Sequence, residues 1–176
     1  MTVSTAGRPG KVWLVGAGPG AVDLLTLRAA RLLGEADIVL HDALVDPAVL
    51  ALAPQAKHVA VGKRACRPST AQRFINKQLV DAAHAHRCVV RLKGGDPMLF
   101  GRAEEEIAAL DAAGIECEVV PGITAAFAAA AQVRAPLTQR GVARSVALAT
   151  PRVGDGEHAS AWDAATRADT VALYMA

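Results

Sequence analysis

Two carboxylates in this sequence stand where a carboxylate can act on a ligand. Asp42 comes directly after the apolar run Ile38-Val-Leu40 and His41, and Asp96 follows Val89-Val-Arg-Leu92 through the glycine pair Gly94-Gly95. A positioned carboxylate can take a proton from a reacting group. Twin glycines let the backbone turn sharply and let a small molecule approach the peptide groups, while Pro97 stiffens the exit from the turn. Basic side chains follow the same kind of junction: Lys63, Arg64 and Arg67 after Val59-Ala-Val61, Lys93 beside the glycines, and Arg102 beyond them. Such a lining suits a ligand rich in carboxylates. The remaining reactive types offer less. Cys66, Cys88 and Cys117 are too widely spaced for a zinc knuckle and odd in number for a disulfide framework, so no metal site is expected.

These groups need elements to position them, and the spacing supplies a repeating unit. Lys11 to Val15 reads as a first buried strand, ahead of Gly16-Ala-Gly-Pro-Gly20. Thr26 can cap a helix to about Ala36 with Leu27, Ala30 and Leu33 on one face. Ile38 to Leu40 is a second strand, and Asp46-Pro47 caps and starts a short helix. Val59 to Val61 is a third strand. Ser69-Thr-Ala-Gln72 fits a capping box for a helix to about His86. Cys88 to Leu92 is the fourth strand, and Glu104, Glu105 and Glu106 suit the first turn of its helix by opposing the dipole. Gly114 can end that helix in the left-handed conformation. Glu116 to Val120 is the fifth strand, then Pro121-Gly-Ile-Thr124 and an alanine-rich helix to about Val133. Two further strands are expected at Arg144 to Thr150 and Thr170 to Met175.

Strands alternating with helices predict an α/β fold: a five-stranded, mostly parallel sheet with helices on both faces, plus the start of a second α/β lobe. The expected division is a flexible 1–10, a first lobe over 11–138 and an incomplete second lobe over 139–176. In a parallel sheet the C-terminal ends of all strands share one rim, where ligands bind. The junctions at 16–20, 41–44, 62–64, 93–96 and 121–124 are therefore expected to meet around one crevice.

Composition narrows the class. A formal net charge of +2 over 176 residues argues against a nucleic-acid partner, and a hydrophobic content of 52% can supply a core. No apolar run approaches the ~20 residues a membrane span needs, and the polar start lacks a signal-peptide core, so the expected location is cytoplasmic. Gly16-Ala-Gly-Pro-Gly-Ala21 formally satisfies the G-x-G-x-x-G/A dinucleotide fingerprint, with Asp42 ending the second strand. Pro19 weakens that alternative, since it lacks an N–H for a pyrophosphate, and the helix is expected well beyond Gly20.

A longer series of motifs appears in order. It comprises Gly16 to Gly20, Leu24-Leu-Thr-Leu27, Asp42 with Leu44-Val45, Val61-Gly-Lys-Arg64, Gln72 with Ile75-Asn76, Val89 to Pro97, Phe100-Gly-Arg102, Val119 to Thr124, and Pro136-Leu-Thr138. Together these resemble the uroporphyrinogen-III C-methyltransferases of the tetrapyrrole methylase superfamily, from about Lys11 to Met175. The resemblance implies two α/β lobes and S-adenosylmethionine as methyl donor, with transfer to pyrrole carbons of uroporphyrinogen III to give precorrin-2 for sirohaem and cobalamin. It implies cofactor contacts at Pro19, Gly94, Gly95, Asp96, Leu99, Thr124, Ala125 and Met175. Asp42 matches the family's proton acceptor and Lys63 its proton donor. A tetrapyrrole partner and a homodimer follow from the same likeness.

The sequence also departs from that pattern. Ala21 replaces an aspartate, His41 a tyrosine, Cys66 a glycine, Pro68 a histidine and Ala103-Glu104 a glycine pair. Gln139 and Thr150-Pro-Arg152 differ from the usual Pro-Leu-Thr-His and Thr-Gly-His. About two strands of the second lobe are present, and an isolated pair of strands is marginal. A shortened form is expected to bind the cofactor weakly, turn over little and expose apolar surface around Val171 to Met175. A sibling acting on a later corrin precursor and a non-catalytic remnant are the other readings.

Overall fold

The computed structural model describes residues 8–62, 68–152 and 165–175. Contacts divide the chain into two compact units, Met1–Ala125 and Ala126–Ala176. The first is built on five strands: β1 (Lys11–Gly16), β2 (Ile38–His41), β3 (Lys57–Ala60), β4 (Cys88–Lys93) and β5 (Cys117–Val120). Every pairing among them is parallel, in the order β3-β2-β4-β1-β5. The sheet is therefore wholly parallel, and its C-terminal ends share one rim.

Side-chain alternation sorts the two faces. Val12 and Leu14 of β1, Leu40 of β2 and Val89 of β4 pack with Ile75 and Leu79 of α3 (Pro68–Ala85) and Leu110 of α4 (Ala103–Ala112). Val15, Val39, Val90 and Leu92 pack on the other face with Ala29, Leu32 and Leu33 of α1 (Leu27–Glu35) and Val49 of α2 (Pro47–Leu50). Strand residues point alternately to opposite faces, so one strand serves both cores. Near the rim the pattern changes chemistry, because the next residues of β4 on the α3/α4 side are Arg91 and Lys93, both buried.

Local signals set most of the element ends. The Thr26 Oγ1 accepts from the Ala29 N–H at 3.1 Å, capping α1, and Asp46 Oδ1 accepts from the Ala48 N–H at 2.8 Å ahead of Pro47. Gly114 takes φ 67° after α4. Two expectations are corrected. The buried face of α1 is Ala29, Leu32 and Leu33, and Leu27 is exposed; two residues turn the helix by about 200°, which carries Leu27 away from Ala29. α3 starts at Pro68, so Ser69 lies inside the helix instead of capping it, as suits proline in a first turn where the N–H has no helical partner.

The second unit contains most of α5 (Ala125–Val133) and the parallel pair β6 (Val146–Ala149) and β7 (Thr170–Leu173). Within it the Tyr174 hydroxyl accepts from the Ala126 N–H at 3.2 Å. Phe127, Ala130, Leu137, Thr138, Val146 and Leu148 line an open apolar hollow. No residue of α5, β6 or β7 is fully buried, and Leu173 and Met175 are exposed. No described helix is long and apolar enough to cross a membrane.

Candidate active site at the strand-end rim

The loops beyond β1, β4 and β5 close on one another through bare backbone. Gly18 and Gly95 exchange hydrogen bonds, Gly18 N–H to Gly95 O at 3.2 Å and Gly95 N–H to Gly18 O at 2.7 Å. Both glycines adopt positive φ, 68° and 66°. A Cβ on Gly122 would lie 2.2 Å from the Gly95 carbonyl oxygen, and one on Gly16 would lie 2.6 Å from Gly122 Cα, so only glycine fits either place. Asp96 fastens the assembly. Its Oδ1 accepts from the Met98 N–H at 2.8 Å and its Oδ2 from the Gly122 N–H at 2.9 Å.

The other two junctions join the same rim. A Cβ on Gly94 would meet Leu44 Cβ at 3.8 Å, and one on Gly62 would meet the Ala43 nitrogen at 2.6 Å. The loops after β2, β3 and β4 are thus neighbours. Of the residues named for cofactor contact, Pro19, Gly95, Asp96 and Leu99 are half-buried, Gly94 and Ala125 are exposed, and Thr124 is buried. Gly94 has open space around it apart from Leu44, and that leaves its peptide approachable by a small ligand. Met175 follows β7 in the second unit, with φ 57° and an exposed side chain. Lys63, Arg64, Cys66 and Arg67 lie outside the described residues.

Asp42 stands at the end of β2 beside a buried charge network that sequence reading missed. Arg91 is 2% exposed, and its Nη2 donates to Asp42 Oδ1 at 2.6 Å. Its Nε donates to Glu106 Oε1 at 3.0 Å, and its Nη1 to the Leu92 carbonyl at 3.2 Å. Glu106 is fully buried, and its Oε2 accepts from Lys93 Nζ at 2.9 Å. Gln72 Nε2 donates to Asn76 Oδ1 at 3.0 Å and reaches Glu106 Oε1 at 3.4 Å. Burial pushes the Lys93 ammonium below its ordinary pKa, the Arg91 charge adds to that, and Glu106 pulls it back.

One sequence expectation changes here. Lys93 does not line the crevice; it is buried on Glu106, because β4 turns it under α4. Arg102 grips Glu105 through Nε and Nη2 at 2.7 and 2.9 Å. Glu106 stands in the first turn of α4 as expected, and there it is also a buried counter-ion to Arg91 and Lys93. The dinucleotide alternative also loses its geometry. α1 begins at Leu27, after a 3₁₀ turn at Val22–Leu24, and the glycines do not form a helix N-terminus.

Known proteins resemble this chain over nearly its whole length. The family model described as Tetrapyrrole (Corrin/Porphyrin) Methylases matches residues 11–176. A uroporphyrinogen-III C-methyltransferase of Pseudomonas aeruginosa is 50% identical over 167 residues, which cover 94% of this chain and 68% of the relative. A siroheme synthase of Pseudomonas fluorescens is 52% identical over 168 residues, again 94% of this chain but 36% of the relative. The chain thus spans about a third of the length of that synthase. Among solved structures, a uroporphyrin-III C-methyltransferase from Thermus thermophilus complexed with S-adenyl homocysteine superposes with a TM-score of 0.78 at 44% identity. That match covers 94% of this chain and 66% of the other.

Proposed function

The chain belongs to the tetrapyrrole (corrin/porphyrin) methylases, and from that premise we propose that it is an S-adenosylmethionine-dependent C-methyltransferase acting on uroporphyrinogen III to give precorrin-2. The observation that carries the reading is the convergence of the five strand-end loops beside Asp42, with exposed peptide at Gly94 and close backbone packing at Gly16, Gly95 and Gly122. A cradle of peptide groups without side chains fits a compact polar cofactor. Pro19, Gly94, Gly95, Leu99, Thr124 and Ala125 would hold it, and Asp96 would keep two of those loops together. Met175 lies in the other unit, and its assignment rests on the family resemblance.

When bound, S-adenosylmethionine would supply a sulfonium methyl group, to which a nucleophilic carbon bonds in line as the methyl C–S bond breaks and the neutral thioether leaves. Little covalent work then falls to the protein, and the loops act by orienting the reacting groups. Attack by the pyrrole carbon leaves the ring cationic, so a proton must then be lost from the tetrapyrrole, and Asp42 takes it as general base. Lys63 serves as the proton donor in the same scheme. Assistance of the Asp42 kind is worth roughly 10²–10⁴-fold. Lys63, Arg64 and Arg67, which follow β3 in the sequence, would meet the substrate's carboxylates.

The proposal extends to a cytoplasmic location and a homodimer, as in the family resemblance. Incubation with methyl-labelled S-adenosylmethionine and uroporphyrinogen III should give a tetrapyrrole carrying two labelled methyl groups. Asp42→Ala should cut turnover within that range while calorimetric titration with S-adenosylhomocysteine stays unchanged. Unlabelled tetrapyrrole, or labelling at full rate in Asp42→Ala, would contradict the assignment.

A further inference from the structure

We propose that Arg91, aimed by Glu106, is a positioning residue that sets the orientation of the Asp42 carboxylate. This rests on the reading of Asp42 as the proton acceptor and adds a role for two groups that do not touch the substrate.

The argument is geometric. Arg91 is held at three points on three elements: Glu106 Oε1 of α4 at Nε, the Leu92 carbonyl of β4 at Nη1, and Asp42 Oδ1 beyond β2 at Nη2. A guanidinium is a rigid planar fork, so fixing Nε and Nη1 decides where Nη2 points. Glu106 cannot drift, because it is fully buried with its second oxygen on Lys93. Of the four charged groups in the network, Asp42 alone reaches the medium: its side chain is 31% exposed, against 2%, 0% and 4% for Arg91, Glu106 and Lys93. A rigid buried frame therefore terminates in one accessible carboxylate. With Oδ1 turned to Arg91, the other oxygen of Asp42 is the one that faces away from the guanidinium, and the proton lost from the tetrapyrrole after methyl transfer goes to that carboxylate.

Stability alone is a poor reason for the arrangement. Burying ions beside Val12, Leu14, Leu40 and Val89 carries a desolvation cost that well-packed apolar side chains of similar size avoid. A frame that fixes a reacting group gives the same residues a purpose, since a misplacement on the order of 1 Å can cost about 10²-fold in rate.

The test is a kinetic double-mutant cycle on the full chain, with kcat and the KM for the methyl donor measured for wild type, Arg91→Met, Arg91→Lys, Asp42→Asn and the double variant Arg91→Met/Asp42→Asn. Arg91→Met should lower kcat by about 10²-fold with KM for the methyl donor unchanged. Arg91→Lys should recover part of the loss, because an ammonium keeps the charge without spanning both carboxylates. In the Asp42→Asn background, Arg91→Met should cost almost nothing further, since both changes disable one unit. A merely structural contact predicts the opposite: lower thermal stability, unchanged kcat per folded molecule, and losses that add in the double variant. Should Arg91→Met fail to fold, Arg91→Lys carries the same cycle. Wild-type kcat in folded Arg91→Lys, or additive losses, would overturn the proposal alone. Full turnover in Asp42→Asn, or none in wild type, would remove the reading beneath it and the proposal with it.

Discussion

A methyl group added at Gly122 would have nowhere to go. Its Cβ would lie 2.2 Å from the Gly95 carbonyl and 2.9 Å from Gly16 Cα, and both neighbours are backbone. Gly122→Ala should therefore push apart the loops after β4 and β5, costing about 1–3 kcal/mol as overpacked sites do. Gly34 makes the contrast: it lies in α1, and a Cβ there meets nothing within 4 Å. Gly34→Ala should stabilise by about 0.5–1 kcal/mol through the lower entropy of the unfolded chain. Urea unfolding at constant slope measures both. Equal midpoints for the two variants would mean that the loops yield. At this scale the sequence exposes some groups and hides others. Asp42 and the glycines are legible because each stands at a strand end, where residue type and place coincide. Glu106 is hidden among three consecutive glutamates, one of which the helix must turn inward. The available signal was in β4. Arg91 and Lys93 fall on one face of a strand covered on both sides, and buried cations need a counter-ion.

The elements are held at their opposite ends by a device that recurs in both units. Asp37, just ahead of β2, accepts from the Arg87 and Cys88 N–H groups at the start of β4, at 3.0 and 2.9 Å. Asp169, just ahead of β7, accepts from the Arg144 and Ser145 N–H groups before β6, at 2.8 and 3.0 Å. Each carboxylate supplies the acceptors that the first residues of the neighbouring strand lack. The Cys88 N–H holds the Asp37 carboxyl below its ordinary 3.8; burial opposes it, and the Arg87 N–H adds a lesser pull in the same direction as Cys88. A carboxylate with a lowered folded pKa stabilises above the unfolded value and loses that contribution as pH falls through the folded one. Asp37→Ala should thus cost about 1 kcal/mol at neutral pH, a modest figure because the site is exposed. The difference from wild type should shrink below about pH 3.8. Urea midpoints at pH 7 and pH 3 decide it: a difference that persists unchanged at pH 3 would leave the charge without a part. The succession of strands and helices in the first unit was readable from alternation and turn residues, whereas the spatial order β3-β2-β4-β1-β5 was not. The ends of α3 and the buried face of α1 were not, because a capping-type sequence at Ser69 competes with a proline that starts the helix one residue earlier.

The two units differ in how much interior they own, and this sets where the molecule opens first. In the first unit β1 and β4 are paired on both edges and covered on both faces, with Val12, Leu14, Val15, Val89, Val90 and Leu92 at 0% exposure. Breaking those strands requires exposing both hydrophobic clusters together. In the second unit β6 and β7 pair only with each other among the described residues, and no residue of either is fully buried. Phe127, Val133, Val142, Leu173 and Met175 carry their apolar surface to the outside. A two-stranded sheet with that little covered surface gains little from burial and pays the ordinary entropy of ordering. Local opening follows contact density, so native-state hydrogen exchange should find the amides of β6 and β7 exchanging at least about 10²-fold faster than those of β1 and β4. Added urea should bring the slow amides of the first unit together onto one cooperative unfolding line, with the second unit's amides already below it. Equal protection in the two units would show that β6 and β7 draw stability from a source other than their own packing. That would also change what the exposed Leu173 and Met175 are for.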